Sequence, residues 1–164
     1  MQEFAVHVKQ CQLQPFGLGY YTLGMVEEAG EVFEAVQSKD GADVLLEIGD
    51  VLWYAIAFTI EVGGDVSMLE PWPEPQPTSD TRAEVCLLHT VSKLSGRVKK
   101  FLRGDQVLEQ FAPMMLQYIH DGVLQCAQVA ANHGGTLEKC AAMNVAKLAG
   151  RFARGTVQGD GNSR

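Results

Sequence analysis

The first 70 residues of the chain contain almost no basic side chains. Only Lys9 and Lys39 stand against 12 acidic residues there, whereas residues 71–164 hold 8 acids and 11 bases, and the net charge of the 164 residues is −7. DNA and anionic lipid bind to clusters of lysine and arginine. The sequence therefore predicts a protein with no nucleic acid partner and no membrane partner. The excess of carboxylates in this half is instead compatible with a site for a divalent cation, which binds oxygen ligands.

The sequence also lacks paired cysteines, a targeting segment and a long apolar run. Its cysteines, Cys11, Cys86, Cys126 and Cys140, form no C-x-x-C pair, which favours reduced thiols over a zinc site, with a disulfide as the less favoured alternative. No basic segment followed by an apolar one begins the chain, so no signal peptide is expected. The longest apolar run, residues 51–60, is too short to span a bilayer. These absences predict a cytoplasmic protein.

Apolar residues recur with a helical period over most of the chain, and no segment alternates as a β-strand does. The pattern predicts an all-α fold, an antiparallel bundle of about five to six helices. Thr81 and Glu84 have the spacing of a capping box. The predicted helices cover about 3–14, 21–38, 42–62, 81–103, 107–133 and, after a cap at Thr136, the segment to about residue 154.

Four prolines divide the chain into two halves. Because prolines do not fit a helix interior, residues 70–80 are predicted to be a semi-rigid linker. Within a single domain of residues 1–164, the linker separates a metal-binding half, residues 1–69, from a second helical half, residues 81–154. A flexible tail of residues 155–164 follows, since three glycines lie within its first seven residues.

The two halves show a weak internal repeat. Asp50 and Asp121 each precede a Gly-Gly pair by 13 residues, which favours a tandem duplication of one helix pair, that is, a single-chain pseudo-dimer. Lys93 and Arg97 then fall near the positions of Glu27 and Glu31, so only one metal site is expected for the two halves. Chance similarity between two amphipathic helix pairs is the alternative.

Two acidic pairs give the sharpest functional signal. Glu28 and Glu31 share one face of a helix, and Glu47 and Asp50 share one face of the next, since residues three apart point the same way. Facing each other, the four carboxylates would form an oxygen cage for Mg²⁺ or Mn²⁺. Asp50 opens the apolar run DVLWYAIAF, so its helix is expected to be buried. A solvated acidic face is the alternative, and a di-iron site is disfavoured because it normally uses Glu-x-x-His.

The glycines inside these pairs support the same interpretation. Gly30 lies between Glu28 and Glu31, and Gly49 lies between Glu47 and Asp50. Glycine destabilises a helix by about 1 kcal/mol relative to alanine. Its presence at both positions therefore predicts a close approach by a backbone or a ligand.

Three segments resemble the MazG-like family of all-α nucleoside triphosphate pyrophosphohydrolases. The family's E-x-x-E and E-x-x-D motifs are similar to EEAGE (27–31) followed by EIGDVLWY (47–54). The segment that precedes these motifs in the family is similar to YYTLGMV (20–26). NVAKLAGRFARGTVQGDGNSR (144–164) is similar to the closing segment of its short members. Residues 66–143 depart from those members and loosely resemble the tandem arrangement of dimeric dUTPases.

The resemblance implies Mg²⁺-dependent conversion of a nucleoside triphosphate to the monophosphate and pyrophosphate. It implies a homodimer as well. It also implies that Glu27 is a further ligand or orients the attacking water. The metal ligands that it implies are Glu28, Glu31, Glu47 and Asp50, and the substrate-binding residues are Tyr54, Asn144, Lys147 and Arg151. Trp53 is expected to pack in the core rather than to stack on a base.

Two other functions stay open at this point. One is a non-catalytic helical bundle that binds nucleotides or a protein partner and holds a structural cation. The other is a di-metal oxidoreductase, which the missing histidine ligands disfavour. The presence of all four core carboxylates favours the enzyme.

Overall fold

The computed structural model describes residues 2–11, 16–78, 82–105 and 107–154. Within these ranges the chain is helical and contains no strand, which confirms the all-α prediction. One 3-10 turn, Val66–Leu69, follows the third helix. The helices are α1 (Gln2–Cys11), α2 (Leu18–Ser38), α3 (Gly41–Glu61), α4 (Ala83–Leu102), α5 (Leu108–Asn132) and α6 (Leu137–Arg154).

The helix boundaries lie within three residues of those predicted, wherever both ends are described. The predicted end of the first helix and the flexible tail, residues 155–164, lie outside the described residues, and so does Thr81 of the predicted capping box. Arg82 occupies the N-cap position of α4 and makes no capping hydrogen bond with its side chain. Glu84, the other member of that predicted box, is buried in the first turn.

A two-residue turn makes α2 and α3 an antiparallel hairpin. Lys39 ends α2 in the left-handed conformation, with φ of 61°. Asp40 begins α3, and its carboxylate accepts hydrogen bonds from the backbone N–H groups of Ala42 (3.1 Å) and Asp43 (3.2 Å). This reversal places the acidic pairs of the two helices opposite each other.

Helix α3 lies at the centre of the bundle. It packs against α2, α5 and α6, and α2 packs in turn against α4, the partner of α5 in a second hairpin. The interior around α3 is filled by large apolar side chains such as Tyr21, Phe58 and Phe111. Any carboxylate on α3 that points towards α2 or α6 is therefore withdrawn from water.

The proline-rich segment lies against the bundle. The Gln128 side-chain amide donates to the Gln76 carbonyl at 3.0 Å, and the backbone N–H of Thr78 donates to Asn132 Oδ1 at 2.8 Å. Trp72 packs against the core and meets the ring of Phe4 edge-on. Up to residue 78, then, the predicted linker is docked along α5, because its carbonyl and amide groups find partners there; residues 79–80 lie outside the described residues.

The hairpins α2–α3 and α4–α5 agree with the predicted pairing of helices in each half. The second hairpin differs in detail, since α5 has 25 residues and contains Pro113, whereas α3 has 21. The tandem duplication of one ancestral pair stays a prediction.

Candidate metal and substrate site

Three carboxylates from α2 and α3 meet inside the bundle. One oxygen each of Glu28, Glu47 and Asp50 can be chosen so that all three lie within 4.8 Å of one another. Glu47 is 2% exposed and Asp50 is 8% exposed, while Glu28 is half-buried. In the described part of the chain this is the one cluster of acidic, histidine or cysteine side chains arranged to hold a metal ion.

The electrostatics of this group call for a cation. Burial, together with the negative charges of Asp50, Glu31 and Glu47, raises the pKa of Glu28 to about 9, against a smaller opposing effect of Lys147. The charged form of Glu28 is thus destabilised by the neighbouring carboxylates in a region of low polarity. A bound divalent cation would remove that repulsion.

Helix α6 completes one side of the site. Asn144 Nδ2 donates to Asp50 Oδ1 at 2.5 Å, and Lys147 Nζ donates to Asp50 Oδ2. Asn144 is 2% exposed, and its Oδ1 atom has no hydrogen-bond partner in the described structure. The amide therefore holds Asp50 with its nitrogen and keeps an oxygen lone pair available beside the carboxylates.

The close contact between α3 and α6 depends on Gly49. A Cβ atom built at Gly49 would lie 2.5 Å from the Cys140 carbonyl oxygen and 3.1 Å from Asn144 Cβ. The close approach expected at this glycine is confirmed. At Gly30 the same construction meets no protein atom within 4 Å, so no backbone approaches closely there, and the approach of a ligand at Gly30 stays a prediction.

The residues present fit a hard divalent cation. Mg²⁺ and Mn²⁺ prefer carboxylate and carbonyl oxygens, and the group offers three carboxylates beside the free Oδ1 of Asn144. No histidine or cysteine belongs to the group. This donor set does not suit the di-iron or zinc chemistry that those ligands support.

The other predicted ligands lie around this group rather than in it. Glu27 and Glu31 are exposed on α2, and the charge of Glu31 acts on Glu28 from outside the triad. Arg151 is half-buried one turn beyond Lys147 on α6. The structure therefore brings together Glu28, Glu47, Asp50, Asn144 and Lys147.

Tyr54 lies one turn beyond Asp50 on α3, next to the carboxylate group. The residues that position its ring were not identified from the sequence. Its ring rests directly on the backbone of α2 at Gly24, where an added Cβ would come within 2.3 Å of the ring. Burial raises the pKa of the Tyr54 hydroxyl, as do the Tyr20 side chain, which hydrogen-bonds to it, and the nearby charges of Glu28 and Glu27. The overlooked signal was the spacing of Tyr20, Gly24 and Glu28, which share one face of α2.

Trp53 packs as the sequence predicted. Its indole ring lies against the core, 5.0 Å from the Tyr54 ring centroid and 6.4 Å from that of Tyr21. It supports the aromatic side chains from the interior.

Comparison with known families now bears on this geometry. Residues 18–68 match the family model for the MazG nucleotide pyrophosphohydrolase domain. The MazG-like resemblance is confirmed. This MazG-like segment comprises α2, α3 and nearly all of the 3-10 turn, and so contains all three clustered carboxylates. Asn144 and Lys147, on α6, lie outside the matched residues.

Searches of curated proteins and of solved structures find no significant match to the chain. Among the described helices, none combines the length and the apolar character needed to cross a membrane.

The raised pKa of Glu28 predicts how stability depends on pH in the metal-free protein. In the folded state the Glu28 carboxyl keeps its proton up to about pH 9, whereas in the unfolded chain it loses this proton near pH 4.5. The free energy of unfolding should therefore fall as the pH rises from about 4.5 to about 9. Denaturant unfolding in EDTA at pH 5, 7 and 9 should show this slope, and Glu28→Gln should reduce it. The matched control Glu34→Gln, an exposed position on α2, should keep it. Equal slopes in the wild type and Glu28→Gln would contradict the prediction.

Proposed function

We propose that this protein hydrolyses a (deoxy)nucleoside triphosphate to the monophosphate and pyrophosphate in a Mg²⁺-dependent reaction, as part of nucleotide-pool housekeeping. One observation carries the proposal. The MazG-like segment brings one carboxylate oxygen each of Glu28, Glu47 and Asp50 within 4.8 Å of one another, and the amine of Lys147 reaches the same group.

Each residue has a definite task in this reaction. Glu28, Glu47 and Asp50 would hold the metal, which when bound stabilises charge on phosphoryl oxygens and lowers the pKa of a coordinated water. Asn144 fixes the orientation of Asp50 through its 2.5 Å hydrogen bond. Glu27 and Glu31 are exposed on the same helix. Glu31 is proposed as a further metal ligand, and Glu27 as an additional ligand or as the group that orients the attacking water.

The cationic side chains of α6 are proposed to bind the phosphates. Lys147 lies at the carboxylate group, and Arg151 follows one turn later. Pyrophosphate is a highly charged leaving group, and lysine and arginine neutralise it and donate hydrogen bonds to it. Charge stabilisation and positioning supply most of the catalysis in phosphoryl transfer.

A panel of nucleotides tests the function. The wild-type protein with Mg²⁺ should release pyrophosphate from at least one deoxynucleoside triphosphate, and EDTA should abolish the release. Orthophosphate as the product would reject attack at the α-phosphorus. Nucleotide binding without release from any member of the panel would instead support the non-catalytic binding module.

Lys147→Met should raise the KM for the nucleotide by about 10- to 100-fold, because a hydrogen bond to a charged group contributes about 1.5–3 kcal/mol. Steady-state kinetics of pyrophosphate release measures the change. Lys139→Met, at an exposed position on the same helix, is the matched control and should behave as the wild type. Unchanged KM and kcat in Lys147→Met would remove this residue from the phosphate site.

We further propose a cytoplasmic homodimer that associates with neither nucleic acid nor membrane. The four cysteines are free thiols, which suits a reducing compartment. Leu23 is 71% exposed and Leu102, which lies against Gly19, is 62% exposed. These apolar side chains would be covered by a second copy. Light scattering coupled to gel filtration decides between monomer and dimer.

A further inference from the structure

A partly exposed pair of stacked rings lies at the start of α2. The ring centroids of Phe16 and Tyr20 are 4.4 Å apart with an interplanar angle of 28°, and the two residues are 38% and 43% exposed. Aromatic side chains usually bury most of their surface. This pair therefore leaves an aromatic surface open to solvent.

The stacked pair is continuous with the carboxylate site. The Tyr20 ring centroid is 6.0 Å from that of Tyr54, and the two side chains share a hydrogen bond. Tyr54 follows Asp50 by one turn on α3, and Glu28 follows Tyr20 by two turns on α2. The rings and the carboxylates thus occupy neighbouring positions along the α2–α3 hairpin.

The aromatic side chains are held in place from beneath. Tyr54 lies on the backbone at Gly24, where no larger residue fits without displacing the ring. Trp53 meets Tyr54 edge-on, and the fully buried Tyr21 meets Tyr20 in the same way. Such support fixes the orientation of the exposed rings before any ligand binds.

We infer that Phe16, Tyr20 and Tyr54 form the nucleobase subsite of the proposed hydrolase, with the base stacked on the exposed rings. This inference rests on the proposed function. A base is the occupant that fits, because it is planar and aromatic and is linked through a sugar to the phosphates that the neighbouring site attracts. Stacking accepts any base, since every base has a π-face. The substrate class is therefore nucleoside triphosphates carrying an intact base, with tolerance towards the identity of that base.

The test compares a deoxynucleoside triphosphate with 2-deoxyribose 5-triphosphate, which lacks a base. Tyr20→Ala should raise the KM for the nucleotide by about 10- to 100-fold, while kcat and the kinetics of the abasic compound are retained. Tyr20→Phe keeps the ring and should restore a KM close to that of the wild type. Met114→Ala, at an equally exposed side chain (43%) on α5 outside the ring cluster, is the matched control and should not change the KM.

Three outcomes would overturn the inference while the proposed function stands. In the first, Tyr20→Ala leaves the KM of the nucleotide unchanged, and in the second it changes the KM of both substrates equally. In the third, Tyr20→Ala changes only the mass of the particle in light scattering, which would make the rings an interface between copies.

A wild-type protein that hydrolyses no triphosphate defeats the proposed function, and a binding measurement then decides on the subsite. Calorimetric titration with a non-hydrolysable α,β-methylene deoxynucleoside triphosphate should give a dissociation constant that Tyr20→Ala raises by the same factor. An equal constant in the two proteins, or no binding by the wild type, would overturn the inference.

Discussion

Glu47→Gln should release pyrophosphate at least about 100-fold more slowly than the wild-type protein. Loss of a group that merely supports a metal ligand reduces affinity or activity by about 10- to 100-fold, and Glu47 is itself one of the three clustered carboxylates. The amide is nearly the same size as the carboxylate but carries no negative charge. The substitution therefore removes charge from the centre of the site with little change in packing.

Two measurements separate this effect from a loss of folding. Thermal unfolding in EDTA should show that Glu47→Gln is at least as stable as the wild type, because one of the repelling carboxylates is gone. Mg²⁺ should raise the midpoint of the wild type but not that of the variant. Glu34→Gln, with an exposed carboxylate on α2, is the matched control for both measurements. Wild-type rates in Glu47→Gln would exclude the carboxylate group as the active site.

Gly49→Ala should lower the stability of the protein, and this is the second largest effect that we expect. The added methyl group would push α3 and α6 apart. This Cβ would lie 2.5 Å from a backbone carbonyl oxygen, that of Cys140, which cannot move without the whole helix. Overpacking of this kind destabilises a protein by about 1–3 kcal/mol. A loss of 3 kcal/mol would lower the Tm by roughly 6–12 °C in a domain of this size.

Activity should fall together with stability in this variant. Asn144 Cβ is the second neighbour of the added methyl group, at 3.1 Å, and Asn144 and Lys147 both bond to Asp50. A displaced α6 weakens these contacts, so pyrophosphate release should decrease even at temperatures where the variant is folded. Circular dichroism establishes that range.

Gly30→Ala is the matched control for Gly49→Ala. An added Cβ there meets no protein atom within 4 Å, so the greater helix propensity of alanine should stabilise the protein by up to about 1 kcal/mol. Equal destabilisation by the two substitutions would contradict the assignment of the close α3–α6 contact to Gly49, because an added Cβ meets protein atoms there and not at Gly30.

Local sequence patterns were sufficient for the helices and for the candidate carboxylates. The apolar period of α3 runs through Glu47 and Asp50, so the burial of these acids follows from the chain itself. The short reversal at Lys39 and Asp40 brings α2 back against α3, and Glu28 then faces Asp50. Each of these inferences uses residues that are neighbours along one helix or across one turn.

The aromatic end of the site was beyond local reasoning. Tyr20 and Gly24 belong to α2, whereas Tyr54 belongs to α3, and only the rotation of one helix against the other determines that the Tyr54 ring lies on Gly24. The docking of residues 70–78 on α5 was missed for the same reason, since prolines show where a helix cannot form but not where the segment binds.

The sequence by itself determined that the protein is helical, that its first half carries the acidic pairs, and that this segment is MazG-like. Helical period and i, i+3 spacing are properties of single helices and can be read along the chain. The tertiary structure alone decided that Glu28, Glu47 and Asp50 form the inner group while Glu31 stays outside it. It also decided that Gly49, and not Gly30, is needed for close packing, because these outcomes depend on the depth and rotation of neighbouring helices.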